Sequence, residues 1–520
     1  MRVLFVWPNM DNFGFKPIGL SLLIAIARRK KCIIQLFDTT EIELSYSQNT
    51  KTGEQAKQFK PVNLEPYGHK KKGGWDVEKV FEKTLIDFLP DLVAISLLSD
   101  EVALANKLTR VSKSIFPKTI VIWGGKYPTI RPVDSMIKHG ADFVCVGEGL
   151  EAFSDFLDVF QHNHNGLFNI QNIWGMRNGE IVPTSIRPIL ENIDSIPFVE
   201  WDHFHPAHMY KPFDGAVYRA GDHMLNWGCP YRCTYCINGF LHNIYKNRYV
   251  MRRYSVRRII DELKFLKRKY ELEFFRFHDE DFLMRPIENF IELSEAYSAE
   301  VGLPFSIETN PKSVTIDKVQ FLKKMNCVSV SLAIETGSPL IRKNILKRVD
   351  RESDIIRAFK TLRDFSIRTV SYNLIGIPFE TIESYNETIE LNRRAEVQYP
   401  QIGVFYPYEE TEARNIAIRN GFLDELYSDP YDRNRVALHF NWATEEKILS
   451  LRDNFVLYVK LPEKYHDFIR RSEEKDTKGQ MLRKILIELY ELTVWKNDGW
   501  YRPIEAEKVF FNKLSEINTN

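Results

Sequence analysis

The stretch GCPYRCTYC at positions 228–236 puts Cys229, Cys233 and Cys236 within eight residues, in a chain that holds six cysteines in all. Soft thiolates in a reducing compartment select zinc or iron–sulfur clusters. Structural zinc closes with four ligands. The remaining cysteines, Cys32, Cys145 and Cys327, sit in apolar strand-like or pre-strand segments, where a free cysteine is usually a small core residue. A zinc site would have to borrow His223 or His242. A four-iron cubane on three thiolates instead leaves one iron open to an outside ligand, and open coordination marks a catalytic rather than a structural metal. The bland alternative is three cysteines with no metal. The spacing favours the cluster.

The elements around this motif alternate. "RVLFVWPN", "IIQLFDTT", "DLVAISLLS", "TIVIWGG" and "ADFVCVGEG" are short apolar runs in the first 150 residues, separated by helical patterns. Continuous apolar strands alternating with helices predict a parallel sheet covered on both faces, here an α/β, flavodoxin-like (Rossmann-type) doubly wound domain. Its ligand edge is the carboxyl end of the strands. Pro8, Asn9, Ser96, Gly124, Gly125, Gly147, Glu148 and Gly149 fall there, and glycine at such ends lets main chain approach a ligand. The polar, Lys-rich segment 41–74 reads as a solvated surface insertion rather than a lid, with Lys70–Lys72 facing water.

After a connector with a hairpin turn at Asn178–Gly179, βα alternation resumes. The strand-like runs are "HMLNWG", "FFRFHDEDF", "PFSIETN", "VSVSLAIETG", "TVSYNLIGIP" and "PQIGVFYPY". Six βα units predict a partial (β/α)6, TIM-like barrel with its chemistry at the C-terminal mouth, where the cysteines lie. From about residue 440 only amphipathic helices are expected. The expected division is 1–164, connector 165–222, barrel 223–425 and helical tail 426–520.

Size and charge agree with several domains and point away from nucleic acid. The chain has 520 residues, 44% hydrophobic, with 71 basic against 70 acidic residues and a net charge of +1. That balance gives no global attraction to polyanions. The N-terminal apolar run is too short for a signal peptide, and no run approaches the ~20 residues of a membrane helix. A cytoplasmic protein without a transmembrane segment is expected.

C-x3-C-x2-C with Tyr235 before the last cysteine resembles the signature of the radical S-adenosylmethionine (SAM) superfamily. The resemblance implies a [4Fe-4S] cluster on Cys229, Cys233 and Cys236, its open iron chelated by SAM, and reductive cleavage of SAM to a 5′-deoxyadenosyl radical. "FRFHDEDF" stands where the family's second strand carries polar groups, which implies SAM contacts for Asp279, Glu280 or Asp281. Ser306 and Glu308 in "SIETN", Glu335 in "SLAIETGS", and Gly376 and Pro378 in "NLIGIPFET" correspond to the third, fourth and fifth strands, and Tyr235 joins this set. "FYPYEETEA" resembles the sixth-strand segment, with Glu409–Glu410 in place of proline–glycine. "GGKYPTIRP…GADFVCVGEG" and "FKPIGLSLLIAIAR" resemble the cobalamin (B12)-binding domain that precedes many such enzymes. That resemblance makes the strand-end residues above its cobalamin contacts. The loop after the first strand lacks Asp-x-His-x-x-Gly, so the lower cobalt face would be unligated or bound by something else.

The function so implied is methyl transfer from cobalamin to an unactivated carbon of a small-molecule or biosynthetic-intermediate substrate, with an electron donor such as flavodoxin or ferredoxin. Two other readings stay open: cyclisation or oxidation without methyl transfer, and a non-catalytic iron–sulfur scaffold. The sequence identifies neither the substrate nor a single catalytic residue.

Overall fold

The computed structural model describes residues 1–520 apart from 11–13, 15, 43–52, 70–72, 74, 163, 430, 433, 475, 504–505 and 520. The front sheet holds β1 (Arg2–Trp7), β2 (Ile33–Asp38), β3 (Leu92–Leu97), β4 (Ile120–Gly125) and β5 (Phe143–Cys145), parallel and in the order β2-β1-β3-β4-β5. This is the doubly wound order that the alternation predicted. Side chains of β1 divide by period two. Val3, Phe5 and Trp7 join the core under helices Ile18–Arg29 and Leu150–Phe160, whereas Leu4 and Val6 join the one under Val77–Phe88 and Val102–Ile115. An antiparallel hairpin, β6 (Ile173–Arg177) and β7 (Glu180–Val182), extends the sheet beyond β5. Asn178 and Gly179 both turn with positive φ, 52° and 81°, as a tight two-residue hairpin requires.

The second sheet contains β8 (Tyr210–Phe213) and β9 (Ala216–His223). A two-residue ladder, β10 (Asn226–Trp227) with β11 (Arg252–Arg253), stands apart from it. The sheet continues with β12 (Phe274–Phe277), β13 (Phe305–Thr309), β14 (Cys327–Glu335), β15 (Arg368–Ile375) and β16 (Tyr399–Val404). Six strands run parallel, in the order β16-β15-β14-β13-β12-β9, and β8 pairs antiparallel on the β9 edge. The first barrel strand is therefore β9, not the 223–228 run expected from its apolar residues. β9 escapes an apolar-run search because it carries Arg219 and Asp222, and Asp222 is buried by ion pairing rather than by being apolar.

The described part of the polar insertion is not a solvated appendage. Gln58 Nε2 donates to Ile402 O at 2.9 Å, and Ile402 N donates to Gln58 Oε1 at 3.4 Å, on the free edge of β16. Farther on, Lys60 meets Asp214 at 3.5 Å in the β8–β9 turn, and the Tyr67 ring lies 5.0 Å from Tyr210 of β8. Residues 58–67 thus run from one edge of the curled sheet to the other. Amide and ion-pair contacts do this work, so the segment reads as surface. Lys70–Lys72 lie outside the described residues.

Helices Glu445–Lys460, His466–Ser472, Thr477–Thr493 and Ala506–Thr519 form the tail. They share a core with Ile375 of β15, Val404 of β16 and Tyr385, rather than closing the mouth. No helix among the described residues is long and apolar enough to cross a membrane.

Candidate active site

Cys229, Cys233 and Cys236 lie between β10 and helix Ile237–Ile244, on a loop held from several sides. Thr234 donates from N to Leu346 O (3.1 Å) and from Oγ1 to Ile345 O (2.6 Å), and its own carbonyl accepts from Ala413 N (2.9 Å). Cys229 is buried and the other two are half-buried. Burial pushes all three thiols up, Cys233 to about 11 against the pull of Arg348. Thiolates would persist here only against a metal, whose binding would release their protons. Each histidine has one ring nitrogen engaged, while the buried His242 Nδ1 has no hydrogen-bond partner. His223 Nε2 lies 3.0 Å from Glu262, and His242 Nε2 is 2.9 Å from Cys229 O. Among the described residues no three His, Cys, Asp or Glu side chains converge on a single ion. Three thiols on one loop could each bind a separate iron of a multi-iron cluster.

Beside the loop, Glu335 closes β14 at φ +63°, next to a register break after Ala333. A left-handed glutamate is strained, and such strain gathers at functional sites. Its Oε1 accepts from Tyr235 Oη at 2.8 Å. Arg348 reaches Tyr235 Oη (3.1 Å), Ala333 O (2.8 Å), Asp350 (2.8 Å) and Glu335 (3.7 Å). Burial pushes the Glu335 carboxyl up, and Arg348 and Tyr235 oppose it. The two residues expected from sequence, Tyr235 and Glu335, thus meet directly. Arg348 and Asp350 were missed, because "KRVD" matches no motif or period.

The three acids of "HDEDF" part company. Asp279 is fully buried, and its Oδ1 accepts from the main-chain N–H of Leu225 (2.9 Å) and Asn226 (2.6 Å). It therefore supports the strand that leads into the thiol loop. Burial pushes it to about 7. Asp281 is buried against Thr309 and Ser313. Glu280 alone is exposed, yet enough protein surrounds it to push its carboxyl up, with Lys126 of the front domain and Asn238 pulling down.

On β13, Phe305 and Ile307 enter the outer core while Ser306 and Glu308 face the other way, into the barrel. His278 lies 4.0 Å from Glu308 and 3.0 Å from Asp222. Asp222 also takes Arg276 (2.9 Å) and the buried Lys16 (3.0 Å), which hold it well below the carboxylate range despite burial. This chain of charges had no sequence signature. Gly376 turns at φ +81°, and its N–H donates to Glu380. Pro378 lies within this turn. Glu380 is buried with Oε1 unpartnered, and burial pushes it up to about 8. Glu410, in place of the expected glycine, takes φ +58° and pairs with Arg131 of the front domain at 3.2 Å.

At the carboxyl edge of the front sheet lies an apolar cavity of ≈ 790 Å³, its open mouth included, lined by Ser96, Gly124, Gly125, Gly147, Glu148 and Gly149. A Cβ at Gly125 would stand 2.4 Å from Leu97 O, and one at Gly147 2.4 Å from Tyr245 Oη. Bare main chain and an apolar wall suit a large flat group. Glu148 spends its carboxylate on Arg252 (Nη1 to Oε2, 2.9 Å), clamping the front domain to the barrel. Pro8 and Asn9 are not among the lining residues. Asn9 Nδ2 donates to Thr40 Oγ1 at 2.6 Å. Trp227, two residues before Cys229, also lines the cavity.

The Radical SAM superfamily model matches residues 227–391, and the B12 binding domain model matches 68–157. An uncharacterized methyltransferase of Pyrococcus horikoshii is 27% identical over 72% of this chain and 79% of its own length. An anaerobic magnesium-protoporphyrin IX monomethyl ester cyclase of Cereibacter sphaeroides is 24% identical over 60% of this chain and 51% of its own. The solved structure of the methyltransferase TsrM from Kitasatospora setae, with cobalamin and a [4Fe-4S] cluster bound, shares the fold. Its TM-score is 0.62 at 12% identity, and the match covers 99% of each chain.

Proposed function

We propose that this chain, a radical SAM enzyme carrying a B12-binding domain, transfers a methyl group to an unactivated carbon of a small-molecule substrate. Trp227 carries the reading. It lines the front cavity, and the thiol loop begins two residues on, so both sites belong to one region of the molecule. A reaction that needs two cofactors on one carbon depends on such proximity.

Cys229, Cys233 and Cys236 would hold the [4Fe-4S] cluster, and the glycine-lined edge would hold cobalamin. When bound, the cluster and SAM supply a carbon radical initiator and cobalamin supplies a methyl carrier. The chain's own residues do the positioning. Arg348, Tyr235 and Glu335 fix the loop against β14. Asp279 fixes the main chain that enters it. Ser306 and Glu308 present polar atoms inside the barrel for SAM, with Glu280 at the mouth and the Gly376–Pro378 turn closing the fifth strand. The apolar wall of the front cavity excludes water from a reactive carbon.

The test is anaerobic reconstitution followed by reduction with dithionite in the presence of SAM. 5′-Deoxyadenosine is expected from the wild type and not from Cys233→Ala. Cleavage that persists in a cluster-free Cys233→Ala would contradict the proposal. The cyclase relative favours a second reading on the same site, without methyl transfer. Product mass decides: one added methyl group supports the proposal, while loss of hydrogens or ring closure supports the alternative.

A further inference from the structure

The loop that carries the thiols meets four segments: three bring basic groups to the surface, and the fourth, which donates from Ala413 N to Thr234 O, brings the exposed Glu412. Arg232 Nη2 donates to Asn247 Oδ1 at 2.6 Å, between the exposed Lys246 and Arg248. The bonds from Thr234 to Ile345 and Leu346 set the exposed Lys343 and Lys347 against the same loop. Tyr231 lies beside Ser313, next to the exposed Lys312. No Asp or Glu occurs from Cys229 to Ile260, nor from Leu340 to Val349. Lys347 pairs with Glu412 at 2.5 Å. Among the described residues Arg232, Lys246, Arg248, Lys312 and Lys343 have no carboxylate partner. Apolar side chains stand among them: Val250 is 52% exposed, Leu340 72% and Val349 43%.

A chain of net charge +1 has no general excess of cations to distribute, so this concentration is local. Its place matters. Tyr235 is spent on Glu335 at the end of β14 and Trp227 lines the front cavity, so the exposed cations beside the loop are not part of either. A cationic rim with apolar centres is the complement of an acidic protein surface, where charge steers encounter and apolar contact holds the pair.

We propose that Arg232, Lys246, Arg248, Lys312 and Lys343 form the docking surface for a small acidic one-electron carrier protein, an inference that rests on the reading of the thiol loop as the cluster site. With a cluster bound by the three thiols, the reduced carrier would give up one electron and the oxidised cluster would take it. No bond forms or breaks, and the carrier leaves oxidised.

The reconstituted holoprotein is titrated with a reduced acidic flavodoxin at low and high salt, and both the dissociation constant and the rate of flavodoxin-driven SAM cleavage are recorded. Binding by the wild type should weaken steeply with salt, since exposed charges are screened within ~10 Å at 0.1 M. The triple variant Lys246→Glu, Arg248→Glu, Lys343→Glu should lose affinity by about tenfold or more. Cleavage driven by dithionite should stay at the wild-type rate. A matched reversal on the front domain, Lys79→Glu, Lys83→Glu, Lys107→Glu, should bind as the wild type does. Unchanged affinity in the first variant, salt-independent binding, or preference of this surface for RNA or anionic vesicles over flavodoxin would overturn the proposal. A holoprotein without iron and without dithionite-driven cleavage would bring down the underlying reading as well.

Discussion

Arg348 answers Glu335, Asp350, Tyr235 Oη and the Ala333 carbonyl with one guanidinium that is almost fully buried. Replacing it with methionine keeps the volume and strands two buried carboxylates, a change that costs about 3–5 kcal/mol. Arg348→Met should therefore unfold earlier in urea and retain less iron after reconstitution; wild-type stability would contradict the role given to it. Glu380 makes a pH prediction. Burial raises its pKa from 4.5 to about 8, so the folded state binds that proton more tightly than the unfolded chain. Its stabilising share is whole below pH 4.5 and drains away as the pH climbs through about 8. Glu380→Gln cannot ionise and should gain on the wild type in urea midpoint as pH rises; parallel pH profiles would refute this. At this scale the sequence was readable where a motif fixes spacing, as at the three cysteines and Tyr235. It was silent on Lys16, Asp222, Arg348 and Asp350, whose partners come from distant strands.

Parallel strands buried on both faces announce themselves as apolar runs, which is why β1, β3, β4 and β12–β16 were legible. β9 was not, because its burial is achieved by charge pairing at Asp222. Nor was the segment around Gln58, whose hydrogen bonds to Ile402 have no hydrophobic period. An edge strand with unpaired N–H and C=O groups is a liability that proteins cover, and here a side-chain amide does so. Gln58→Ala should leave the fold intact and speed hydrogen exchange at the Ile402 amide relative to β13 in the sheet interior. Equal protection in variant and wild type would show that the strap does not cover this edge.

Across the whole molecule the two sheets are not independent. One core runs from Val3 and Phe5 of β1 through Trp201 to Phe275 and Leu332 of the barrel. The contacts Lys16–Asp222, Glu148–Arg252 and Arg131–Glu410 join the same partners. A shared core and these ion pairs, of which Lys16–Asp222 is fully buried, give the front edge and the thiol loop a fixed relation, which chemistry between two cofactors requires. This relation could not be read from either half of the chain alone, although the order of the halves could. The most direct measurement is a count of iron, zinc and corrinoid per chain after anaerobic purification and reconstitution with iron, sulfide and hydroxocobalamin. About four irons together with one corrinoid, the irons lost in Cys233→Ala, is the predicted result. Stoichiometric zinc with neither iron nor corrinoid would contradict the account.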